Sequence, residues 1–107
     1  MVPFQKRQWR ALRMVSMLLE RHLEQYFSTQ CKKRGLLSLK LHMRFNRGWP
    51  DRLVILPDNR ILWVELKRPG GTTSPLQDKL HKDLQTRGHV VHVIDSKEGI
   101  DHVLATA

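Results

Sequence analysis

Between Gln5 and Lys33, apolar side chains recur at Trp9, Leu12, Val15, Leu19, Leu23, Tyr26 and Phe27, three or four residues apart; past Gly35 the spacing drops to two. Steps of three and four line one face of a helix, and steps of two line one face of a strand. This change of period commits the chain to a long helix followed by sheet. Met14, Met17 and Leu18 broaden the helical stripe. On so small a chain, that much apolar surface invites a second subunit; the plainer alternative is that the stripe covers the chain's own sheet. Lys32, Lys33 and Arg34, then Gly35, are the expected stop: cations beside the last carbonyls, then a glycine. Residues 1–4 read as a loose start.

Leu37, Leu39, Leu41 and Met43 alternate with Ser38, Lys40, His42 and Arg44, which predicts a strand with its leucine face buried. Residues 52–56 and 61–67 read as the next two strands, joined by a turn at Pro57-Asp58-Asn59-Arg60. Pro69-Gly70-Gly71 opens a flexible loop. Ser74-Pro75-Leu76-Gln77 then carries the marks of a helix start: a serine N-cap, proline at the first helical position and glutamine where a capping box needs it. Leu76, Leu80 and Leu84 form its expected buried stripe, and Gly88 ends it. Residues 89–94 read as a fourth strand and 96–105 as a short last helix. No repeat, low-complexity segment or linker interrupts this order. One α/β domain over residues 1–107 fits, its first three strands paired in sequence and the fourth added through a helical crossover.

A single cysteine, Cys31, excludes an intrachain disulfide, so a packed core, a metal or a partner must supply the stability. No apolar run approaches the roughly 20 residues of a membrane span, and basic residues from Lys6 onward break any signal-peptide pattern. A cytoplasmic location, with no membrane partner, is the default expectation. The net charge is +9. All of it lies in residues 1–52, with twelve basic and three acidic side chains; residues 53–107 hold seven of each. A basic half predicts a polyanionic partner such as nucleic acid, because every neutralised phosphate releases counterions. Lys6, Arg7, Arg10 and Arg13 cluster at the helix start, to track a backbone or simply to be solvated.

Asp51 stands before the second strand; Glu65 and Lys67 end the third. If Pro57 pairs with Arg60 across a two-residue loop, Arg52 lies opposite Glu65 and Asp51 opposite Leu66. Asp51 is then a diagonal neighbour of Glu65. Two carboxylates at such a distance repel unless a cation lies between them, and Mg²⁺ takes oxygen ligands of this kind together with substrate phosphate. A lysine alongside can orient the attacking water and stabilise developing charge. The plain alternative is an exposed strand-end pair and a turn aspartate. Trp49 either stacks on a base or packs against the domain, and packing is the commoner role.

Gly48-Trp49-Pro50-Asp51 followed by Glu65-Leu66-Lys67 resembles the PD-(D/E)XK nuclease signature. The longer string from Asn46 to Val54, then Val64-Glu65-Leu66-Lys67-Arg68-Pro69-Gly70-Gly71 and Gln77, resembles the VRR-NUC group. The likeness runs from about Glu20 to Leu104. It implies a restriction-endonuclease-like fold, an α-β-β-β-α-β core with a short C-terminal helix. It implies that Asp51, Glu65 and the Leu66 carbonyl bind Mg²⁺ or Mn²⁺ and that Lys67 is the catalytic lysine. A first-helix glutamate assists the metal, for which Glu20 is preferred over Glu24. Gln77 is either near the active centre or the capping-box residue, and Arg68 is either a phosphate contact or solvated.

The leading expectation is a structure-selective DNA endonuclease that cuts branched, Holliday-junction-type molecules as a homodimer. A monomeric flap or nicking nuclease is an alternative, as is a non-catalytic nucleic-acid-binding module. The last is an interaction protein docking through its long helix.

Overall fold

The first helix, α1, runs Lys6–Lys33 in a computed structural model that describes residues 5–42 and 47–107. The predicted loose start at residues 1–4, and the expectations for Met43, Arg44 and Asn46, lie outside the described residues. At the start of α1 the Gln8 side chain folds back to accept from Gln5 N–H at 2.6 Å, and Lys32 and Lys33 occupy the last turn. The strands follow as β1 (Leu37–Lys40), β2 (Arg52–Ile55) and β3 (Ile61–Leu66); α2 (Pro75–Thr86), β4 (Val90–Ile94) and α3 (Lys97–Ala105) complete the order. The sheet runs β1-β2-β3-β4, antiparallel for its first two pairings and parallel for β3 with β4. A parallel pair requires a crossover, and α2 provides it.

One sheet face carries Val54, Leu62, Val64, Leu66 and Ile94, all buried against Leu23, Phe27 and Cys31 of α1 and Ile100 and Leu104 of α3. Arg52 lies on the same face, nearly buried, with its guanidinium 5.8 Å from the centre of the Phe27 ring. Only the C-terminal half of α1 reaches this core. Trp9, Leu12, Val15 and Leu19, at the other end of the same stripe, are exposed. The helix thus overhangs the sheet. The radius of gyration, 15.6 Å, exceeds the roughly 13 Å of a round domain near this length.

Three sequence expectations need correction. Leu37 and Leu39 do not form a buried face; they are 69% and 57% exposed. Strand β1 is at the sheet edge, and the side it turns toward the helix is that of Ser38, whose hydroxyl is buried. Leu76, expected in the buried stripe of α2, is exposed, and the buried residues of that helix are His81 and Leu84. The hairpin register is displaced by one residue. Arg52 pairs with Val64 and Ile55 with Ile61, because the loop has three residues and not two. Leu56 N–H donates to the Arg60 carbonyl across it, and Asn59 takes a φ of +68°. An asparagine tolerates this left-handed conformation, which closes a three-residue hairpin loop.

Candidate active site

Displacing the register by one residue changes what the hairpin brings together. Continued past Arg52–Val64, the observed pairing sets Asp51 opposite Glu65. The segment before Asp51 is anchored from below. Gly48 has φ +94°, and a Cβ there would lie 3.0 Å from the Leu76 carbonyl oxygen, so glycine is required twice over. The Trp49 ring packs 5.5 Å from the Trp63 ring, and Pro50 is fully buried. Trp49 therefore takes the packing role. Trp63 Nε1 donates in turn to His89 Nδ1 at 3.1 Å.

Asp51 and Glu65 hold one another through the backbone. Asp51 N–H donates to Glu65 Oε2 at 3.0 Å, and Leu66 N–H donates to Asp51 Oδ2 at 3.3 Å. Lys67 Nζ lies 3.2 Å from Glu65 Oε1, with both side chains largely shielded from solvent. The same Glu65 oxygen accepts a 2.8 Å bond from Gln77 Nε2. The other end of that amide, Gln77 Oε1, accepts from Ser74 N–H, and Ser74 Oγ accepts from Gln77 N–H. Gln77 thus closes the capping box of α2 and grips Glu65 as well. The two roles set against each other at the sequence level coexist, because a capping glutamine spends only its oxygen on the cap.

Burial dominates the electrostatics. It pushes the Glu65 carboxyl above its ordinary value, and the nearby charge of Asp51 pushes it further, against the pull of Lys67. Burial likewise raises Asp51, opposed by the Leu66 N–H and Lys67 and reinforced by Glu24. Glu24 is itself paired with Lys40 Nζ at 3.0 Å. Glu20, Leu23, Glu24, Asp51, Glu65, Leu66 and Lys67 together line a pocket of about 220 Å³. Both first-helix acids lie on its wall, one helical turn apart.

Two participants were not singled out from the sequence. Lys40 enters through its pairing with Glu24. His81 is buried on α2, and burial lowers its pKa; it feels the charges of Asp51 and Lys67. Its signal was present: His81 is four residues beyond Gln77, hence on the same helical face.

Among the described residues no group of three or more His, Cys, Asp or Glu side chains is gathered tightly enough to enclose a metal ion. The donor set is instead two carboxylates, Glu65 buried and Asp51 partly so, with Asp51 Oδ1 accepting no hydrogen bond among the described residues. Two neighbouring like charges, each with its proton affinity raised, fit a hard divalent cation that uses one or two carboxylates and keeps its remaining positions for water and phosphate. Such an ion would relieve the repulsion between the two carboxylates.

The chain resembles proteins already described. A curated protein of Acyrthosiphon pisum secondary endosymbiont phage 1 named "Putative nuclease p44" is 37% identical over 82 residues, 77% of this chain and 88% of that protein. A solved structure described as "VRR_NUC domain" superposes with a TM-score of 0.74 at 31% identity, covering 80% of this chain and 94% of that one. No family model matches the chain.

Proposed function

The chain belongs to the VRR-NUC nuclease family, and from that premise we propose that residues 1–107 act as one divalent-metal-dependent DNA endonuclease domain that hydrolyses phosphodiester bonds. The observation that carries the reading is the mutual backbone grip of Asp51 and Glu65 beside Lys67, in a pocket that both first-helix acids also line.

Asp51, Glu65 and the Leu66 carbonyl would hold Mg²⁺ or Mn²⁺, with Glu20 assisting. Such an ion would supply polarisation of a phosphoryl oxygen and a lowered pKa for bound water. Lys67 orients the attacking water by donating to it and offsets the negative charge that grows on the phosphoryl oxygens. Water adds to phosphorus and the bond to the leaving oxygen breaks. Gln77 keeps Glu65 from rotating away. The surplus of cations in residues 1–52 attracts the phosphate backbone.

The substrate reading is branched DNA of Holliday-junction type, cut by a homodimer whose two-fold symmetry presents one site to each strand. The homodimer is supported by Val15, Leu18 and Leu19 on the overhanging part of α1, apolar side chains that are about half-exposed.

The test is to incubate wild type and Asp51→Ala with branched, flapped, single-stranded and linear duplex DNA, with Mg²⁺, Mn²⁺ or EDTA. Cleavage is expected from wild type with metal, strongest on branched DNA. Cleavage that survives EDTA or the substitution defeats the metal mechanism.

A further inference from the structure

The overhang of α1 does not end in open solvent on the catalytic side. A groove of about 690 Å³ runs along it, walled by Trp9, Leu12, Arg13, Ser16 and Met17 on the helix and by Arg68 opposite. Glu20 lines both this groove and the catalytic pocket, so the two adjoin at that side chain. Trp9, Leu12, Ser16 and Glu20 extend the helical stripe that, further along, buries Leu23 and Phe27. Past the described strands, that stripe becomes one wall of the groove. Arg68 follows Lys67 directly and is tied across the groove by a 2.7 Å bond from Nη1 to Ser16 Oγ.

The chemistry of the walls is mixed in a particular way. Trp9, Leu12 and Met17 are about half-exposed and present apolar and aromatic surface. Arg13 and Arg68 add two fixed positive charges. Paired bases in duplex DNA keep their faces stacked on each other, so a duplex offers this groove only phosphates and edges. An unpaired nucleotide offers a bare aromatic face together with a phosphate, the combination that single-strand-binding grooves accept. The volume also suits one small ligand, since such sites hold about 300–1,000 Å³.

Resting on the nuclease reading above, we propose that the groove between the α1 overhang and Arg68 is a subsite for one unpaired nucleotide of the strand being cut. Its base lies against Trp9, Leu12 and Met17, and its phosphate lies between Arg13 and Arg68. The feature read at a branch is then a base free to leave its stack. The meeting of groove and catalytic pocket at Glu20 places that nucleotide next to the one carrying the scissile phosphate.

The test compares the full-length protein's affinity for a short single-stranded oligodeoxynucleotide with its affinity for an abasic strand of the same length, in EDTA. Wild type should bind the strand with bases roughly tenfold or more tightly, the contribution expected of one stacked base. Trp9→Ala should remove that difference while leaving the abasic affinity unchanged, and Trp9→Phe should restore most of it. The comparison of strands uses no variant, so it stands even if a substitution disturbs the fold. Equal affinity for both strands overturns the subsite. So does a Trp9→Ala effect of the same size on both, or a fall in solution mass with that variant, which would assign the groove to a second copy. Failure of the nuclease reading is separate: it appears as absence of cleavage by wild type on every DNA with either metal.

Discussion

The peptide N–H of Asp51 donates to Glu65 Oε2 at 3.0 Å, while the peptide N–H beside Glu65, that of Leu66, donates to Asp51 Oδ2 at 3.3 Å. Each acid is held by the other's strand. The carboxylates are therefore held in position by backbone groups, with their mutual repulsion carried by the fold.

That arrangement sets a sign for stability. Burial raises both carboxyl pKa values in the folded state. The folded chain then binds protons more tightly than the unfolded one, so stability falls as pH rises from the ordinary carboxylate range through the raised values. Asp51→Asn should raise the Tm of the metal-free protein at neutral pH by a few degrees, given about 4–8 °C per kcal/mol for domains near this size. The gap between variant and wild type should close as pH falls below about 4. Thermal melts in EDTA across pH check this, and a lower Tm for the variant at pH 7 refutes it. Added Mg²⁺ should raise the Tm of wild type more than that of the variant.

The double duty of Gln77 can be separated. Ser74→Ala removes a serine cap and should cost about 1 kcal/mol of stability while cleavage largely persists. Gln77→Ala removes part of the cap and the 2.8 Å grip on Glu65, so it should also lower the cleavage rate, by about tenfold or more, the loss typical of an outer partner of a metal ligand. Parallel melts and cleavage rates decide it; equal activity of the two variants would leave Gln77 a cap alone.

Gly48 supports Asp51 from three residues upstream. Gly48→Ala combines a left-handed backbone with a Cβ 3.0 Å from the Leu76 carbonyl oxygen. A loss of about 1–2 kcal/mol or more is expected, together with reduced cleavage as Asp51 shifts. Chemical denaturation of the variant measures it, and wild-type stability would show that the segment yields.

Lys67→Ala should reduce cleavage by about 100-fold or more while DNA affinity in EDTA changes little, because the lysine acts on developing charge more than on the bound duplex. Filter binding and single-turnover rates separate the two. A parallel loss of affinity would make Lys67 a phosphate anchor instead.

His92 gives a pH dependence of the opposite sign. Burial lowers its pKa, and His102 lowers it further. As pH falls through about 6.5, the unfolded chain takes up a proton that the folded chain resists, so this group reduces stability on acidification. His92→Gln should flatten the slope of stability against pH between about 5 and 7. An unchanged slope would show that His92 does not contribute.

Much of this molecule was legible before any coordinates. The α1 and α2 boundaries, the capping box at Ser74 and the order of elements along the chain follow from local chemistry: period, caps and turn residues act within a few positions of one another. The candidates Asp51, Glu65, Leu66, Lys67, Glu20 and Gln77 were legible too, through spacing and resemblance, and all but Gln77 line one pocket, with Gln77 bonded to Glu65.

What the chain alone left open were relations between distant segments. Whether Asp51 faces Glu65 turned on one residue of loop length, because a slip of one turns every side chain of a strand to the other face. Leu37 and Leu39 have the alternation of a buried face, yet which face of the edge strand β1 turns toward α1 is decided by packing. The stripe from Trp9 to Phe27 is continuous in sequence, but only the tertiary structure divides it into a core half and an overhang, since burial depends on where the sheet stops. Periodicity and caps are set by neighbours along the chain; register, coverage and the juxtaposition of charges are set by neighbours across it.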